Sequence, residues 1–308
     1  MEEILRILPD KMKNLIRLHV ANKWEQLEEI RLRLNHPVEL NFYNHVEWLK
    51  GYLFSKKDSM YVLSQLSEHS LYRMEDELRE GYMTIQGGHR VGLAGEVNTV
   101  DGKLKQLQHI TFFNIRIAKE KIDLAKPYVS YLYDDDRYLN TLVIGAPQTG
   151  KTTFIRDIAR LISEGSNFIF PKKVSIIDER SEIAASTNGI PQHNIGRRTD
   201  VMDACPKVAG MMMMIRSMSP EVLIVDEIGK EEDVQAVLEA VLAGVTVICT
   251  VHGSTLDELR KRPSISKLLN QAIFQRIILL KRDEMRHFHL EIINENEEKI
   301  VSHMVSKR

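Results

Sequence analysis

The run Gly145-Ala146-Pro147-Gln148-Thr149-Gly150-Lys151-Thr152-Thr153 restricts this chain more than any other stretch. It lies between an apolar run, Leu139 and Thr141 to Ile144, and residues at helical spacing, Phe154, Ile158 and Leu161. Glycine, four residues, then glycine, lysine and a hydroxyl is the spacing of a strand, loop and helix unit. In such units backbone N–H groups and a helix N-terminus cradle a polyphosphate. Gly145 and Gly150 permit conformations and close approaches that a Cβ blocks. Lys151 brings a mobile point charge to the β- and γ-phosphate oxygens, and Thr152 offers a hydroxyl to Mg²⁺.

The rest of such a site is expected downstream. Glu221 to Glu227 reads as a short apolar strand ending in two carboxylates, Asp226 to hold Mg²⁺ and Glu227 to polarise an attacking water. A second strand, Val174 to Ile177, ends in Asp178-Glu179-Arg180-Ser181-Glu182, and acids at a parallel strand's C-terminal end lie where ligands bind. A third, Val245 to Thr250, leads to His252, so Thr250 and His252 are candidates for sensing the γ-phosphate. Strands alternating with helical patterns predict an α/β fold. Ser186 to Lys207 reads as a long polar loop, and Met211, Met214 and Met218 as the core face of a helix.

Ahead of this region, helical spacing runs from Met1 to about Asn22 and a hairpin is expected from Glu29 to Phe42 around Asn35-His36-Pro37. Further helical patterns cover about 59–66 and 71–79. The glycine-dense stretch from Tyr82 to Gly95 predicts a kinked hairpin, and Thr111 to Ala118 a strand with Arg116 opposite Ile115 and Ile117. The charged segment Lys119 to Pro127 reads as a hinge. The expected domains are therefore 1–125, a smaller N-terminal α/β domain, and 126–308, which carries the phosphate loop. His287 and His289 share a strand face but lack a third metal ligand.

The 308 residues carry 42 basic and 43 acidic side chains, a formal charge of −1, with 6% aromatics, so no basic field advertises nucleic acid. A nucleic-acid-dependent P-loop ATPase therefore has little support. A guanine-specific switch has less, because Asn22-Lys23-Trp24-Glu25 is an incomplete guanine-reading motif and precedes the phosphate loop. ATP is the expected nucleotide. Cys205 and Cys249 lack partners at metal or redox spacing, consistent with a reducing cytoplasm. No charged-then-apolar signal opens the chain and no apolar run approaches about twenty residues, so any membrane contact is expected to be peripheral and through partners.

Several stretches together resemble the stage III sporulation protein AA family of endospore-forming bacteria, and more distantly the traffic ATPases of type II and type IV secretion and pilus machines. These are Gly81 to Gly92, Asn114 to Ala118, Gly145 to Thr153, Ile177 to Ile183, Met214 to Pro220 and Val225 to Gly229. The resemblance implies a RecA/AAA-like P-loop NTPase domain in a cytoplasmic ring, commonly a hexamer. Such a ring energises a transenvelope channel or secretion complex from the inner membrane face, in the mother cell of a sporulating source. It likens Asp178, Glu179 and Glu182 to an acidic box and His252 to a histidine box. It makes Arg116 a candidate to complete the site, and leaves the water-activating base between Glu227, Glu179 and Glu182, because distant relatives commonly carry Gly-Glu where this chain has Asp226-Glu227.

Overall fold

The computed structural model describes residues 1–67, 81–100, 103–166, 169–282 and 288–305. The expected helix at 71–79 and His287 lie outside them. Two compact units are present, Met1–Lys119 with Ala185–Gln192, and Glu120–Ala184 with His193–Arg308. The division thus falls at Lys119/Glu120 rather than at 125. Asp157 accepts from the backbone N–H of Asp123 (3.2 Å) and of Ala125 (2.8 Å), which ties 120–125 to the second unit.

The first unit contains α1 (Glu2–Arg6), α2 (Asp10–Val20), β1 (Leu27–Arg33), β2 (Pro37–Phe42), β3 (Val46–Leu53), α3 (Lys56–Leu66), β4 (Tyr82–Ile85), β5 (His89–Val100) and β6 (Lys103–Arg116). Its antiparallel sheet has the order β3-β2-β1-β6-β5-β4. Alternation sorts the faces. Ile30, Leu32, Leu40, Val91 and Ile115 join Ile4, Leu5, Met12 and Ile16 from the helices in one core, while Glu29, Arg31 and Arg116 point the other way. The hairpin expected around Asn35 is β1–β2, and Gly87 and Gly88, both at positive φ, turn β4 into β5. Ser55 starts α3 with a capping box, accepting from Asp58 N–H (3.2 Å) while its own N–H donates to Asp58 Oδ2 (2.9 Å).

The second unit begins with a two-stranded ribbon, β7 (Tyr133–Asp134) and β8 (Arg137–Tyr138). There follow β9 (Thr141–Gly145), α4 (Lys151–Glu164), β10 (Val174–Asp178), β11 (Thr199–Asp203), α5 (Lys207–Met218), β12 (Val222–Val225), α6 (Glu231–Leu242) and β13 (Thr246–His252). The described chain ends with α7 (Leu256–Arg260), α8 (Pro263–Asn270), β14 (Arg276–Arg282), β15 (Phe288–Asn294) and β16 (Lys299–Val305). One sheet of order β11-β10-β12-β13-β9-β14-β15-β16 runs through it, parallel from β11 to β14 and antiparallel beyond. Its central strands are apolar on both faces. Val143, Ile176, Ile224 and Ile248 pack with Phe154, Ile158 and Ile162 of α4, while Leu142, Ile144, Leu223 and Val247 pack with α5 and α6.

Two expectations change here. Thr199–Asp203, read as loop, is the edge strand β11, whose polar residues fit the exposed rim of a sheet better than its core. Met211 and Met214 are buried as expected, but Met218, in the last turn of α5 before the left-handed Ser219, is 41% exposed.

Phe54 is fully buried, with its ring edge-on to Phe113 at 5.7 Å between centroids. Phe54→Ala is expected to cost about 3–5 kcal/mol in a urea unfolding curve, as large aromatic deletions do. A loss below about 1 kcal/mol would show that the first unit's core is not packed around this ring.

Candidate nucleotide and metal site

The candidate site forms at the C-terminal ends of the parallel strands, and its parts come from four segments. β9 ends at Gly145, and Gly150 adopts a left-handed φ of 94° that turns the loop into α4. An ideal Cβ on Gly145 would sit 2.4 Å from Thr149 Oγ1, so the strand end leaves no room for a side chain. Thr149 Oγ1 donates to Ala146 O (2.8 Å), closing the loop on itself. Lys151 lies buried over the loop, its ammonium donating to Gly145 O (2.8 Å) and Ala146 O (3.1 Å). Burial lowers the Lys151 pKa, against the opposing pull of Asp226 and Glu227.

β13 lies between β9 and β12 in the sheet, so Asp226, just past β12, reaches the loop helix across an intervening strand. Thr152 Oγ1 donates to Asp226 Oδ2 at 2.7 Å. The fully buried Thr250 donates to the other oxygen, Asp226 Oδ1, and accepts from the Glu227 N–H at 2.8 Å. Thr250 was a candidate for sensing the γ-phosphate. It contacts both neighbouring acids, because its position on β13 puts its hydroxyl level with the end of β12. Glu227 has a left-handed φ of 51° and pairs with Arg180 at 3.2 Å. A non-glycine residue held in that region costs about 1–3 kcal/mol and is typical of functional sites. His252 is exposed, in register beside Gly145.

The acidic stretch divides in two. Asp178 is buried and accepts from the N–H groups of Glu182 (2.8 Å), Ile183 (2.9 Å) and Ala184 (2.8 Å). Its carboxyl is thus engaged in shaping its own turn. Glu179 is ion-paired with Lys207, and Glu182 is half-buried. Arg116 ends β6 in the first unit, exposed, with Arg90 and Glu29 as its cross-strand neighbours. Beside the loop, Ala146, Pro147, Gln148, Thr149, Ser254, Thr255, Leu280 and Lys281 line a cavity of about 580 Å³, within the usual range for small-molecule sites. Thr153 follows Thr152 in the first turn of α4.

The paired oxygens of Thr152 and Asp226 suit a hard cation such as Mg²⁺. Among the described residues no group of three or more His, Cys, Asp or Glu could hold a metal ion, so phosphate oxygens and water would supply the remaining ligands here. Sequence reading missed Arg180 and the buried charges Arg156, Asp157 and Arg160 of α4. Their signal was present, since all three interrupt a helix whose other positions are largely apolar.

The family model for sporulation stage III, protein AA matches residues 1–300. Stage III sporulation protein AA of Bacillus subtilis (strain 168) is 52% identical over 282 residues, covering 92% of this chain and 91% of the relative. The chain belongs to the sporulation stage III, protein AA family.

This member of the sporulation stage III, protein AA family is also similar to two solved structures. The Legionella pneumophila ATPase DotB gives a TM-score of 0.64 at 17% identity, covering 94% of this chain and 82% of that one. The pilus retraction motor PilT with bound ADP gives 0.61 at 16%, covering 91% and 82%. These likenesses establish the P-loop NTPase fold. Among the described residues no helix is long and apolar enough to cross a membrane.

Burial pushes Asp178 up to about 6 from 3.8, against the three N–H groups that favour its anion. A raised folded pKa adds stability that is complete below the unfolded value and lost as pH rises through the folded one. The stability difference between the native chain and Asp178→Asn should therefore fall between pH 3.8 and about 6 and level off above. Urea unfolding across that window tests this, and a pH-independent difference would contradict it.

Proposed function

We propose that this chain is a Mg²⁺-dependent ATPase that converts nucleotide state into movement. The observation that carries the reading is the convergence of Lys151, Thr152, Asp226 and Thr250 at the end of β9. Residues 145–153 hold the phosphates, with Lys151 on the β- and γ-oxygens. Thr152 and Asp226 hold Mg²⁺, which when bound neutralises charge developing on the transferred phosphoryl group. Glu227, just past the end of β12 with its backbone N–H fixed by Thr250, orients the attacking water. Glu182, on the turn after β10, and His252, at the end of β13, flank the same edge and contact the nucleotide or its water. The cavity beside the loop accepts the rest of the nucleotide.

The first unit caps the nucleotide and assembles the protein into a homo-oligomer, a hexamer, with Arg116 supplying positive charge to the transition state. The family name and the likeness to DotB and PilT support a secretion-type motor. In this reading the ring works from the cytoplasmic face of the membrane, on a sporulation channel, through membrane-embedded partners and in the mother cell of a sporulating source.

Purified protein should release phosphate from ATP only with Mg²⁺, and Lys151→Ala should lower turnover by at least about a hundredfold, as loss of a charge-stabilising group does. Equal turnover by that variant would reject the assignment. Light scattering of Glu227→Gln with ATP should report a species larger than a dimer, and a monomer at every concentration would reject the ring.

A further inference from the structure

The backbone passes between the two units three times, at Lys119/Glu120, Ala184/Ala185 and Gln192/His193. On the second-unit side, each passage leads to the same helix, α4. At the first, Asp157 accepts from the N–H groups of Asp123 and Ala125, and Arg160 donates to Asp123 Oδ1 at 2.7 Å. At the second, Arg156 donates to the carbonyl oxygens of Ile183 and, at 2.7 Å, Glu182. Asp178 holds the N–H groups of that same turn. At the third, Ser163 Oγ donates to Arg160 O and lies 3.5 Å from Ile195 O. Gly196 packs so closely there that an ideal Cβ would fall 1.8 Å from Ser163 Oγ. The passages are also tied to one another. His193 N–H donates to Ala184 O (3.2 Å), and Asn194 N–H donates to Glu120 Oε1 (2.5 Å).

Arg156, Asp157, Arg160 and Ser163 are all buried, at 8%, 2%, 6% and 1% exposure. Burying charge costs several kcal/mol per ion, and apolar residues of similar size would serve cohesion as well or better. Charge-assisted bonds add what apolar contacts lack, a fixed direction and distance. A helix joined in this way to three strands of chain cannot slide without carrying them.

We propose that α4 is the transmission element of the protein: its N-terminus takes the nucleotide, and Arg156, Asp157, Arg160 and Ser163 carry its displacement to every point where the backbone passes between the units. This rests on the ATPase reading. Helix shifts of about 1–2 Å are the usual currency of such switches. Arg156 and Asp178, gripping the turn 182–184 from its two polar sides, are positioning residues for the same device. Beyond that turn, residues 185–192 belong to the first unit, where Gln192 Oε1 accepts from the Gly87 N–H at the β4–β5 turn (2.9 Å).

Hydrogen exchange on the full chain tests this, comparing Mg·ADP with a Mg-bound, non-hydrolysable ATP analogue. In the native protein, peptides covering 121–125, 182–184 and 194–196 should change protection together, along with the turn at Gly87. Arg160→Gln should bind the analogue within about twofold of native, as a change remote from the loop allows. It should nevertheless lose more than half of the nucleotide-dependent change at Gly87. A native protein whose phosphate loop responds while the three passages do not would overturn the proposal, whether or not the variant folds. So would a variant that binds and responds at Gly87 as the native chain does. Failure of the native chain to bind either nucleotide would instead remove the ATPase reading and this inference with it.

Discussion

The candidate site depends on one carboxylate that spans a strand. Because β13 lies between β9 and β12, Asp226 and the phosphate loop are not sheet neighbours, and the gap is closed by two hydroxyls, Thr152 from α4 and Thr250 from β13. Each takes one oxygen of Asp226. Asp226 is half-buried, and with both oxygens engaged its direction is set to within a hydrogen bond. Thr250 also orients Glu227 by accepting its N–H, so one residue on the neighbouring strand contacts both acids that follow β12.

The fold around this point follows from the same constraint. A parallel sheet covered on both faces places strand ends and helix starts along one edge, and the short, β-branched runs of β9, β10, β12 and β13 have the composition that such burial demands. α4 then has two jobs. Phe154, Ile155, Ile158 and Ile162 pack it on the sheet, while Arg156 and Asp157 hold backbone segments in place and Arg160 holds the Asp123 carboxylate. The first unit solves a simpler problem, one sheet face covered by helices and one left charged. On that charged face Arg90 and Arg116 stand opposite each other, a like-charge arrangement that is unfavourable by itself. It is eased by Glu29 on the far side of Arg116 and by Tyr82, whose ring centre lies 3.5 Å from the Arg90 guanidinium.

Local features were legible in the sequence because local rules govern them. The phosphate-loop spacing, the β1–β2 hairpin, the glycine turn at Gly87-Gly88 and the inward face of Ile115 each follow from spacing or turn chemistry within a few residues. Strand order does not, since nothing in the run Val245 to Thr250 says that it inserts between β9 and β12. For that reason Thr250 was recognised as a polar strand end without its contacts to Asp226 and Glu227. The turn contacts of Asp178 were hidden for a similar reason, because a carboxylate that caps its own turn and one that faces a ligand look alike in sequence. The polar loop after Glu182 concealed both an edge strand and a segment that belongs to the first unit, and only long-range contacts distinguish these from ordinary loop.

The central claim is that Lys151, Thr152 and Asp226 form one Mg-nucleotide site. Equilibrium titration of the native chain and of Asp226→Asn with ATP, each with and without Mg²⁺, tests it most directly. The account predicts one site per chain, with native affinity strengthened by Mg²⁺ and little Mg²⁺ dependence left in the variant. The same Mg²⁺ enhancement in both proteins would contradict it.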